Sequence, residues 1–118
     1  MEIPESNNVY GLLTCPESLE EPARVLRQTL ALGSDDVVVK KSQFDGAQSL
    51  VFSAAQADFK AYGATEEGEY LFNGAVAGTA EEVCLFVQEL HSALTQAGYR
   101  IRFEVYDAQQ NCIAEFHA

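Results

Sequence analysis

The stretch from Thr79 to Gly98, TAEEVCLFVQELHSALTQAG, constrains the fold more than any other part of this chain. Thr79 and Glu82 stand at capping-box spacing: the hydroxyl accepts an early free N–H, and the carboxylate reaches back to the cap. Val83, Phe86, Val87, Leu90, Leu94 and Ala97 recur at helical spacing and make one apolar stripe. Gly98 suits the position just past the helix, because it accepts a positive φ without a Cβ clash. The segment YRIRFEVYD follows at once with a period of two. Ile101, Phe103 and Val105 fall on one side, and Arg100, Arg102 and Glu104 on the other. A one-faced helix leading directly into a half-apolar strand needs a sheet to pack against.

The rest of the chain supplies that sheet. Residues 1–8, with Pro4, Ser6, Asn7 and Asn8, read as a flexible tail ahead of a single domain spanning 9–118. Val9 to Cys15 reads as a strand ended by Pro16. Ser18 and Glu21 form a second capping-box pattern, and a helix is expected to about Leu32, stopped by Gly33, with Pro22 in its first turn. Its buried side would be Leu19, Val25, Leu26, Thr29 and Leu30, with Glu20 and Arg24 as an outward i, i+4 pair. Val37–Lys41 and Gln48–Ala54 make a hairpin around Asp45-Gly46. Asp58–Tyr62 reads as a short strand or the outer half of a bent one, and Thr65–Gly68 as a loop. Glu69–Ala77 is apolar on both sides and so central, with Gly74 marking a bulge or close packing by the helix. Arg100–Tyr106, a turn at 107–111 and Cys112–Phe116 complete the order. The expected fold is α+β: a two-layer sandwich with a mainly antiparallel sheet and two helices on one face, as a ferredoxin-like variant with an added C-terminal strand.

Charge narrows the classes of function. Eighteen acids against seven bases give a net charge of −11. Such a surface repels nucleic acid and anionic membranes and speeds encounter with basic partners, although solubility accounts for acidity equally well. No run of about 18 apolar residues is present to span a membrane. The start MEIPESNN has no positive region followed by an apolar run, and three scattered cysteines suggest reduced thiols rather than a disulfide framework. Both point to the cytoplasm.

Catalytic patterns are weak. Cys84 and His91 lie on one flank of the main helix, but two turns put them about 10 Å apart along the axis, too far to pair. Cys112 and His117 form a lone C-x4-H, a poor zinc signal. Gly74-Ala75-Val76-Ala77-Gly78 lacks a lysine and opens into Glu81 and Glu82, which would repel phosphate. Acids at a helix start are favoured by the helix dipole alone. The reading is therefore non-enzymatic, with no cofactor and no metal.

The outer face of the main helix is more informative. Leu85 stands alone among Glu81, Glu82 and Glu89, a candidate apolar anchor ringed by carboxylates. Glu81, Leu85 and Glu89, with Glu66, Glu67 and Glu69 expected nearby, form the candidate partner-binding set. The function expected is that of a small acidic binding protein that neutralises or escorts a basic protein. Bacterial immunity proteins against toxic nucleases work in this manner, a parallel of charge and not of motif. The alternatives are an acidic secretion chaperone, and a small enzyme or ligand-binding domain using Cys84, His91 and the loop acids. Tyr62, Tyr70, Phe72 and Tyr106 are candidates for the open sheet face, where they would favour a homodimer or peptide binding.

Overall fold

A computed structural model describes residues 3–54 and 56–118. The elements are β1 (Val9–Thr14), α1 (Glu20–Thr29), β2 (Val37–Lys41), β3 (Gln48–Ala54), β4 (Ala57–Gly63), β5 (Glu69–Val76), α2 (Ala80–Gln96), β6 (Arg100–Tyr106) and β7 (Cys112–Phe116). The strands form one antiparallel sheet in the order β2-β3-β4-β5-β1-β6-β7. The helices pack on each other and on one face of it, α1 over β2 and α2 over β6 and β7. This is the expected α+β sandwich, but not the four-strand ferredoxin pattern. The segment around Asp58–Tyr62 forms a full strand, β4, paired with β5 along its whole length and with β3 from Ala57 to Ala61. A four-strand meander therefore lies between the helices. The crossover through α2 joins β5 to β6 across β1, whereas that through α1 joins β1 to β2 across three strands.

The sheet's period of two decides what is buried. Val9 and Leu13, Leu50 and Phe52, Phe59, Phe72, and Ile101, Phe103 and Val105 point under the helices. They meet Leu19, Ala23 and Leu26 of the first helical segment and Val83, Val87, Leu90 and Leu94 of α2. An aromatic cluster fills the centre: Phe59 lies edge-on to Phe72 (5.4 Å between centroids), and Phe72 edge-on to Phe103 (5.8 Å). Gly74 is required by this cluster. A Cβ there would collide with the Phe59 ring and the Asp58 carbonyl, so the close neighbour is the adjacent strand rather than the helix. No polar or charged side chain is buried among the described residues.

The main helix forms as its sequence dictates. Glu82 N–H donates to Thr79 Oγ1 (3.2 Å), Thr79 N–H donates to Glu82 Oε1 (2.8 Å), and Gly98 takes φ +96° past the Ala97 cap. Ala93 is buried in place of Ala97. The first helix departs from expectation. Ser18 and Glu21 make no capping box. Instead Gln48 on β3 closes this end: its Oε1 accepts the Leu19 N–H (2.8 Å), and its Nε2 donates to Ser18 Oγ (3.1 Å). The buried side is Pro22, Ala23 and Leu26, while Thr29 is exposed. The helix stops at Thr29, with Ala31 in the left-handed region (φ 54°), before Gly33 is reached.

Asn8, expected in the tail, is part of the sheet. Its N–H donates to the Gly74 carbonyl (3.0 Å), and its own carbonyl accepts the Tyr106 N–H (2.8 Å). Its side chain brackets Val76, donating to the carbonyl and accepting the N–H, both at 2.9 Å. Met1 and Glu2 lie outside the described residues. No described helix is long and apolar enough to cross a membrane.

Candidate functional site: the outer face of the second helix

Because α2 buries Val83, Val87, Leu90 and Leu94, the i, i+4, i+8 series Glu81, Leu85 and Glu89 is turned to solvent. Leu85 is 55 % exposed. It borders a shallow groove of about 460 Å³ between the helices, where Leu30, Leu85 and Ala93 supply apolar surface and Thr29, Gln88 and Glu89 the polar walls. The helix carries three acids and no lysine or arginine. Glu82 is engaged in the cap. Hydrogen bonds from the Thr79 backbone N–H and the Thr79 side chain hold its carboxyl below the ordinary range. Glu81 and Glu89 make no ion pair among the described residues.

The outer face of α1 is compensated. Arg24 binds Glu21 (2.6 Å), and this hydrogen bond lowers the Glu21 carboxyl and raises the guanidinium. Arg27 donates from Nη2 (2.7 Å) and Nε (3.2 Å) to the Val37 carbonyl, tying the helix to edge strand β2.

The expected set of acids does not gather in one place. The loop holding Glu66 and Glu67 ends at Gly68, whose carbonyl accepts the Cys15 N–H (2.7 Å) at the far end of β1. The first turn of α2 follows the opposite end of β5, so Glu81 stands about a helix length away, roughly 25 Å for 17 residues. Glu69 pairs with Thr14 and alternates with the inward Tyr70. It faces the open side of the sheet, in a depression shared with Arg100, Arg102 and His117. The structure brings together Glu81, Leu85 and Glu89, and separates Glu66, Glu67 and Glu69 from them.

The thiols and histidines are also apart. Cys15, Cys84 and Cys112 are all free, and they are buried, half-buried and exposed in turn. Burial pushes the Cys15 and Cys84 thiols above their usual value. His91 Nε2 lies 2.8 Å from the His117 carbonyl, and its ring tilts against Phe116 rather than toward Cys84. One described group has metal-ligating proximity. Atoms of Glu104, Cys112 and Glu115 lie within 4.8 Å of one another, all exposed on the open sheet face, with His117 Nε2 3.5 Å from Glu115. A cavity of about 630 Å³ lies between residues 4–8, the start of α2 and the β6–β7 turn. Its Asp107 is occupied in that turn, accepting the N–H groups of Gln109 and Asn111 at 2.9 Å. Among the described residues, no cysteine or histidine lines it.

On the open face the aromatic assignment needs correction. Tyr62 and Tyr106 do lie there, but Phe72 is fully buried and Tyr70 packs against the core. Tyr10 joins Tyr106 instead (5.5 Å). Outside the expected set stands Phe44, which is 99 % exposed at the tip of the β2–β3 hairpin. A large aromatic directly beside the Asp45-Gly46 turn was the signal for it. Comparison with protein-family models, curated proteins and solved structures gives no match to this chain.

Proposed function

We propose that this protein is a small acidic binding module that neutralises or escorts a basic protein, and that it engages the partner through Glu81, Leu85 and Glu89 on α2. The observation that carries this reading is Leu85, more than half exposed on a helix with acids and no bases, next to an inter-helix groove. An apolar anchor among uncompensated carboxylates suits a basic partner with an apolar spot. Glu66 and Glu67 contribute to the long-range field and not to the contact. Three free thiols fit a reducing compartment, and we read the protein as cytoplasmic and in the manner of an immunity protein or other inhibitor.

The test is capture from the native host with immobilised protein, followed by mass spectrometry and surface plasmon resonance on the partner found. A basic partner held by the native protein and lost with Leu85→Ala or with Glu81→Lys plus Glu89→Lys supports the reading. Equal capture by native and variant proteins overturns it.

A further inference from the structure

The open face of the sheet has a different electrostatic character from the rest of the molecule. Lys40, Lys60, Arg100 and Arg102 lie on it with Asp58, Glu69, Glu104 and Glu115, so its formal charge sums to zero in a chain of −11. The net negative charge of the chain is therefore carried outside this face. Two copies of the chain can therefore meet on this broad face without opposing net like charge.

The register makes the face complementary to itself. Across the central strands, Tyr10, Glu104 and Glu115 form one row. The next row along the strand direction holds Leu71, Leu12 and Arg102. His117 follows Glu115 by two residues, on the same side. A two-fold axis lying between these rows, parallel to them, sets β6 over β6 of a second copy and exchanges the rows. Arg102 then faces Glu104 of the other copy, His117 faces Glu115, and Leu12 faces Tyr10. On β4 the same operation brings Tyr62 over Lys60, a cation–π pairing. Each contact occurs twice, as an isologous interface demands.

Two further features favour that occupant. Glu104 and Glu115 are directly opposed across β6 and β7, a like-charge pair that costs stability in an isolated sheet. Among the described residues, only the Tyr106 hydroxyl donates to the Glu104 side chain (3.2 Å). A second copy supplies the missing guanidinium. The face spans seven strands, about 29 Å by 20 Å, or about 580 Å² per partner, which clears the roughly 500 Å² per partner that a specific interface needs. Tyr10 and Tyr62, each 39 % exposed, give it aromatic anchors. We infer that the open sheet face docks a second copy of this chain about this two-fold axis, centred between Arg102 and Glu104. The inference is independent of the role of α2.

Sedimentation equilibrium at about 0.15 M salt, from about 1 μM to about 1 mM protein, reads the outcome. The native chain is expected to form a dimer of 12.9 kDa protomers. Arg102→Glu sets like charge over Glu104, and Glu104→Arg sets like charge over Arg102. Each is expected to weaken the dimer at least about 10-fold. The double variant Arg102→Glu with Glu104→Arg exchanges both partners and should restore it, a result that a merely misfolded single variant cannot produce. A native monomer throughout the range overturns the inference. So does a dimer indifferent to both single changes, a double variant that fails to recover, or a dimer abolished by Leu85→Asp. A dimer that needs added Zn²⁺, is lost with chelator and ignores Arg102→Glu would assign the acids to a metal and overturn it as well.

Discussion

The two helices lie side by side on the same sheet and are held by opposite means. α2 carries its own start signal, the reciprocal Thr79–Glu82 pair, and its own stop at Gly98. α1 borrows its start from Gln48, 29 residues from Leu19 along the chain, and its outer arginine Arg27 is spent on the carbonyl of β2. The charges follow the same division. α1 neutralises itself through Glu21 and Arg24, whereas Glu81 and Glu89 of α2 make no ion pair among the described residues. A helix that closes its own ends can leave its outer face free for a partner. A helix anchored by long-range bonds has its polar groups committed to the fold.

The comparison should vanish in the core, and that is where the effects are largest. Leu26 and Leu90 are both fully buried. Leu26→Ala and Leu90→Ala should each lose about 2–5 kcal/mol, because both leave a cavity in a packed layer. Urea unfolding measures this. A loss below about 0.5 kcal/mol for either would mean that its helix does not share the common core.

The comparison should be sharpest at the helix starts. Gln48→Ala removes the acceptor of the Leu19 N–H and should cost about 1–3 kcal/mol, the penalty for a buried donor left unpaired. Thr79→Ala removes a local cap and should cost about 0.5–2 kcal/mol. Hydrogen exchange separates the two. Gln48→Ala should expose the Leu19 amide and leave Glu82 protected, and Thr79→Ala should do the reverse. If Ser18→Ala matched the cost of Gln48→Ala, the cap of α1 would be local after all.

The same contrast explains what could be read from residues alone. The Thr79–Glu82 box, the α2 stripe and the alternation of Arg100–Tyr106 are local, and spacing displays them. Gln48 shows no capping signal in its own neighbourhood. Only the fold carries β3 to the start of α1, and the Ser18–Glu21 capping box does not form, although Ser18 Oγ accepts the Glu20 N–H (3.2 Å). The Asp58–Tyr62 strand was half-legible for a similar reason. Its alternation is clear, but its length depends on pairing with both β3 and β5. The candidate site divides likewise. Glu81, Leu85 and Glu89 share one helix and were visible as a unit. Glu69 was assigned to the same surface by proximity in sequence, yet a strand's period of two turns it to the opposite face.

A smaller effect distinguishes two carboxyls in acid. Glu82 and Glu21 are both held below their ordinary value of 4.5, Glu82 by bonds from Thr79 and Glu21 by Arg24. For a lowered acid, the stabilisation is complete above the unfolded value and is lost as pH falls through the folded one. Both contributions are therefore present at neutral pH and fade below about 4.5. In thermal melts, Glu82→Gln should flatten the acid limb of the stability profile more than Glu21→Gln. Glu82 closes a helix end, whereas Glu21 sits in an exposed pair that solvent screens. Equal flattening would place the two helix starts on the same footing.

The smallest expected change in stability belongs to the face proposed to bind. Leu85 is more than half exposed, and among the described residues Glu81 and Glu89 have no ion-pair partners to lose. Leu85→Ala, and Glu81→Lys together with Glu89→Lys, should each shift stability by no more than about 0.5 kcal/mol. Their effects on binding should nevertheless differ in kind. Leu85→Ala removes a desolvated anchor and should mainly raise the off-rate, while the charge reversals should slow association. The on-rate of the native protein should fall as salt rises, because the Debye length contracts from about 10 Å at 0.1 M to about 3 Å at 1 M. Making the same reversal on α1, at Glu20 and Glu21, tests the comparison itself. Arg24 already offsets that face, so the on-rate should change less than for the α2 pair. An equal drop would mean that the partner senses net charge alone, and that the outer face of α2 has no special part in recognition.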